Sequence, residues 1–159
     1  MRHPIHPMLV HFPVACWSIA TIADLASPHY GKSAWELAGT LMTIGIVMAL
    51  PAMLTGLVEL IQVPDEDAAM RDAYLHMGVM VLAFAFYVAS LMMRIDAMHL
   101  VAPGGHAIVV SACGFLTLLI GGWLGGRLVF GHGIGGSLPS TAKAQAADSK
   151  DTASPPMPE

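Results

Sequence analysis

Four long apolar runs constrain this chain more than any other feature. They cover about residues 8–27, 34–62, 73–93 and 106–130, and each reaches the ~20 residues needed to cross ~30 Å of hydrocarbon. Lipid offers a backbone no hydrogen-bonding partner, so a segment that crosses it must satisfy its own N–H and C=O groups, which short separate segments do as helices. The expected fold is therefore all-α, an integral membrane four-helix bundle forming one domain over residues 1–136. Residues 137–159 are rich in Ser, Ala, Pro and Asp, too polar to fold, and are expected to be a disordered tail. Of the 159 residues 55% are hydrophobic and 11% charged, which argues against an ordinary soluble domain. The net charge of −4 and the lack of a basic stripe argue against nucleic acid as a partner. The first run reads as a retained span and not a signal peptide, because Arg2 is the one charge ahead of it and three histidines accompany it.

The breaks between runs are legible. Pro28 and Gly31 close the first, the acidic stretch around Asp65, Glu66 and Asp67 up to Asp72 reads as a solvated loop, and residues 94–105 form a second connection. Asp24 reads as an interfacial residue near the far end of the first span. Pro51 lies inside the second run, where its missing N–H makes a kink the expectation. In the fourth run Gly121/Gly125 and Gly122/Gly126 form two overlapping GxxxG pairs, suited to close helix packing, to a homodimer or to making room for a flat ligand. Cys16 and Cys113 fall at different depths, about 12 Å and roughly 25 Å from the amino-side face at ~1.5 Å per residue, so free thiols are expected. The twelve methionines are scattered as apolar filler. No phosphate-cradling or dinucleotide motif and no GxSxG elbow is present, which leaves nucleophilic hydrolysis without support and the question of an enzyme open.

The amino end carries the chemistry: His3, Pro4, His6, Pro7, His11 and Pro13 stand ahead of, and just inside, the first span. Proline suits a first helical turn, and an ionisable group inside a membrane marks a functional site by default. This HPxHPxxVHFP pattern resembles the opening signature of DUF2231, a bacterial family of predicted four-helix membrane proteins without an established activity. PAMLTGLVE over residues 51–59, Leu75-His76, and GGWLGGRLVFGHGIGG over residues 121–136 extend the resemblance across roughly residues 3–136. The family often has a carboxylate where Arg127 stands and a Tyr where Phe130 stands. Some relatives are joined to Rieske iron-sulfur domains, which implies electron transfer.

Four spans return the chain to the side on which it started. His6, His11, Glu59, His76 and His132 then fall within a turn or two of one face, whereas His29, His99 and His106 fall at the other. Side chains converging from facing helices are how bundles hold cofactors. The leading expectation is a b-type haem held axially by His11 and His76, with Glu59, His6 and His132 as supporting contacts, passing electrons to or from quinone or a redox protein. The rival is a non-haem iron, copper or zinc site, binding or transporting metal through His6, His11, Glu59, His76 and His132. An amino-terminal copper(II) site at His3 is a separate possibility. The third reading is a structural subunit of a larger membrane complex. Arg2, Arg71, Arg127, Lys143 and Lys150 on the terminal side against Lys32 and Arg94 on the other place the termini in the cytoplasm and the protein in the inner membrane.

Overall fold

The computed structural model describes residues 5–61 and 67–132. The proposed tail, His3 and the acidic residues 65 and 66 lie outside the described residues. Four helices follow in order: α1 (Ile5–Tyr30), α2 (Lys32–Leu60), α3 (Asp67–Met92) and α4 (Gly105–His132), all long and apolar enough to cross a membrane. A small antiparallel pair, β1 (Ile95–Asp96) and β2 (His99–Leu100), joins α3 to α4. Its two-residue turn holds Ala97 and Met98 at φ 45° and 67°, the left-handed geometry that matches strand twist.

The helices pack as two hairpins. α1 lies mainly against α2 and α3 against α4, while α2 touches α3 about as extensively as α1 touches α4. This places α1 and α3 diagonally, meeting through long side chains near the bundle axis. There the Trp17 and Tyr87 rings stack, with centroids 4.7 Å apart and planes 13° from parallel. Small residues make space for these rings. Gly45 of α2 lies directly against the Trp17 indole, and Gly114 of α4 against Tyr87, where an added Cβ would come within 3.2 Å of the phenol ring. Ala20, Ala38, Ala83 and Ala107 complete the close approach.

Two sequence expectations are corrected by burial. Asp24, near the far end of α1, does not face outward as a boundary residue would: it is wholly buried and forms a two-pronged ion pair with Arg94, at 2.6 and 3.0 Å. Arg94 is drawn inward from its connection because Ser90 offers its hydroxyl and carbonyl to the same guanidinium. Asp72 is not in a solvated loop. α3 begins at Asp67 and carries Asp72 inside, where it accepts from Arg127 at 2.8 Å and from His132 at 3.1 Å. Pro51 sits within a helix that continues unbroken from Lys32 to Leu60. Cys16 and Cys113 are free thiols, as expected.

The tight fit at Gly45 is open to test. Gly45→Ala should lower stability by about 1–3 kcal/mol through collision with the Trp17 indole, despite the better helix propensity of Ala. Gly122→Ala, whose Cβ would meet open space, should leave stability within ~0.5 kcal/mol or raise it slightly. Thermal unfolding of the two variants in one mild detergent measures the difference.

Candidate functional site

The inner stripe of α1 is set by Trp17. Eleven residues are about three helical turns, so His6 lies on the same face as Trp17, and His76 likewise on the same face as Tyr87. The two imidazoles therefore lie on the axis-facing stripes of diagonal helices, three turns from the stacked rings. His11 lies six residues from Trp17, off that stripe, and is exposed on the outer surface of α1.

Both rings are half-buried and held in the same way. His6 Nδ1 donates to the Ala52 carbonyl of α2 at 2.8 Å, and His76 Nδ1 donates to the Gly121 carbonyl of α4 at 2.9 Å. A carbonyl only accepts, so these bonds put the ring proton on Nδ1 and leave Nε2 with its lone pair free. Neither Nε2 has a hydrogen-bond partner among the described residues. Each ring also rests against a glycine one turn beyond its carbonyl. A Cβ on Gly56 would stand 2.8 Å from the His6 ring, and one on Gly125 would stand 3.1 Å from the His76 ring. Thr55, itself bonded to the Pro51 and Ala52 carbonyls, stands 3.5 Å from His6 Nδ1 and steadies the α2 side.

The other members of the expected constellation have different surroundings. His132 Nε2 is engaged by Asp72, which also holds Arg127, whose guanidinium lies 5.2 Å over the Trp123 ring. Glu59 is half-buried near the end of α2. Among the described residues no group of three or more His, Cys, Asp or Glu is placed to hold a metal ion. Of the two GxxxG pairs, Gly121 and Gly125 face α3, against Met80 and His76, whereas Gly122 and Gly126 face open space. Asp24 and Arg94 read from the sequence as boundary charges, and nothing in it singled out Thr21 or Ser111. Thr21 lies 2.9 Å from the Tyr87 hydroxyl and 3.2 Å from that of Ser111, completing a buried polar layer below the rings.

The family model described as "Predicted membrane protein (DUF2231)" matches residues 2–137, the whole of the bundle. The chain belongs to the DUF2231 family. No curated protein and no solved structure matches it.

The tautomer assignment makes a prediction for this DUF2231 protein. With ¹⁵N-labelled histidine in detergent micelles at neutral pH, His6 and His76 should show a protonated Nδ1 and a pyridine-like Nε2. Protonated Nε2 signals at both residues would contradict the carbonyl bonds described above.

Proposed function

We propose that this protein is a membrane redox carrier in which His6 and His76 hold the iron of a b-type haem between the two hairpins. The observation that carries the reading is the matched pair of imidazoles, each with Nδ1 committed to a carbonyl and Nε2 left to donate. A ligating histidine fixed through its other nitrogen has its ring orientation and tautomer set before the metal arrives, and its basicity raised. A haem needs only two protein ligands, because the porphyrin fills the four equatorial positions of the iron. Zinc and non-haem iron draw three or four donors from the protein, more than a pair of imidazoles supplies. His6, one and a half turns nearer the helix end than the exposed His11, would be the residue that holds the group together with His76.

His6 lies in the first turn of α1, so a quinone headgroup or a redox protein at the membrane surface comes within electron-transfer reach of a group held there. Arg127, half exposed beside Trp123, stands at the same end of the bundle and suits the acidic groups of a haem or a partner. The surrounding membrane is taken as the inner membrane with both termini cytoplasmic.

Protein expressed with ample haem and purified in mild detergent should be red, with a Soret band that shifts on reduction. His6→Ala and His76→Ala should each abolish the six-coordinate spectrum, and His11→Ala should retain it. A colourless protein after haem-replete expression, or a spectrum indifferent to His6→Ala, overturns the reading. Stoichiometric iron, copper or zinc lost with Glu59→Gln would instead assign the centre to the non-haem class.

A further inference from the structure

The two hairpins repeat one another position by position. His6, Trp17 and Asp24 in α1 have counterparts 70 residues along in α3, at His76, Tyr87 and Arg94. Ala38, Gly45, Ala52 and Gly56 in α2 have counterparts 69 residues along in α4, at Ala107, Gly114, Gly121 and Gly125. The numbering alone would mean little, but the contacts repeat with it. The histidine of each hairpin bonds the carbonyl 46 or 45 residues on, at Ala52 or Gly121. The same histidines rest on the paired glycines Gly56 and Gly125, and the two large rings rest on the paired glycines Gly45 and Gly114. Burial follows as well: Ala38 and Ala107 are both closed off, as are Trp17 and Tyr87, and Asp24 and Arg94.

Each unit has two spans, so both units begin on the same side of the membrane, and the operation relating them is a pseudo-twofold axis along the membrane normal. Residues beside such an axis meet their own counterparts. Trp17 meets Tyr87 in the ring stack, and Asp24 meets Arg94 in the ion pair. The equivalence has a consequence for partner choice. A hairpin like the first pairing with a second copy of itself would set Asp against Asp in a closed, low-dielectric interior, and two copies of the second hairpin would set Arg against Arg. Both arrangements leave like charges buried without compensation.

We infer that residues 5–61 and 75–130 are two copies of one hairpin module, each presenting a face built for a second copy of the module, and that the Asp24/Arg94 opposition directs the two unlike halves of the chain to pair with each other. The surface is the axis-facing stripe through His6, Trp17 and Asp24 with its counterpart, and the partner is the other half of the same chain. The inference stands on the repeated contacts and does not depend on any cofactor.

The test is a charge exchange in the full-length chain. Asp24→Arg and Arg94→Asp, made singly, set like charges on the axis and should each lower the thermal midpoint in detergent by roughly 10 °C or more, or shift the protein to larger species on size exclusion. The exchanged protein D24R/R94D restores opposite charges and should recover at least half of the lost midpoint and a single elution peak. Should the single Arg or Asp variants fail to accumulate, Asp24→Asn supplies the midpoint of an unpaired but uncharged position, and the exchanged protein should exceed it. An exchanged protein no more stable than the worse single variant, or single variants indistinguishable from the parent, would overturn the inference.

Discussion

The bidentate contact between Asp24 and Arg94 lies where neither water nor lipid reaches either side chain. A charge in such a place is expensive alone and tolerable only when its partner and its remaining hydrogen bonds are supplied together. Ser90 supplies them, its hydroxyl and its carbonyl both accepting from the guanidinium. That requirement propagates. Arg94 has to reach inward just past the end of α3, and the strand pair after it is tied back by the Val101 N–H bonded to the Arg94 carbonyl. Leu100 from that pair seats against Gly39 of α2, so the closure of the ion pair and the capping of the bundle's far end are one packing event.

At the other end the same axis carries His6 and His76 instead of a salt bridge. Eighteen residues separate His6 from Asp24, about 27 Å along a helix, so the polar groups stand near opposite faces of the membrane with the stacked rings between them. The middle is filled by aromatic surface and by a hydroxyl layer of Thr21, Ser111 and Tyr87, with the Tyr87 hydroxyl donating to the Trp17 carbonyl at 3.2 Å. The two ends differ in how much they leave unfinished. The ion pair uses nearly every donor it brings, while the imidazoles use one nitrogen each and keep the other.

The spans were legible because length and apolarity alone decide whether a segment crosses a bilayer, and the observed helices extend the expected ones by only a few residues at most ends. Counting along a helix gives depth, and the matching contacts of His6 and His76 with α2 and α4 agree with it for those two residues. What counting could not give was direction around the helix. His6 and His11 lie within two turns of each other, yet one is half-buried against α2 and the other exposed. Helical phase measured from Trp17, the largest side chain of α1, separates them: eleven residues return to the same face and six do not. The Asp24–Arg94 pair was out of reach for a different reason. The two residues stand 70 positions apart, and each in its own surroundings reads as a charge at a membrane boundary. Setting α1 against α3 at that offset would have shown both at the same place in a repeated hairpin.

Helical periodicity gave no help with direction, and the physics of the solvent explains why. In water an amphipathic stripe marks the face that turns inward, but hydrocarbon does not distinguish an outward Leu from an inward one. Exposed apolar residues such as Ile22, Leu54 and Leu116 cover the outside of this bundle, so the helices are apolar nearly all round. The inward face is then chosen by whatever lipid serves badly: glycine and alanine, which let backbones approach, and polar groups, which need partners. In α1 and α3 that rule selects Ala20 with Asp24 and Ala83 with Ser90 and Arg94, and the stripes they define run back along the helices to His6 and His76. Two imidazoles placed by the packing of small residues, and fixed by carbonyls of the neighbouring helices, owe their position to the bundle and not to each other. Rings already held in place by the bundle would need little reorganisation to bind the haem proposed above.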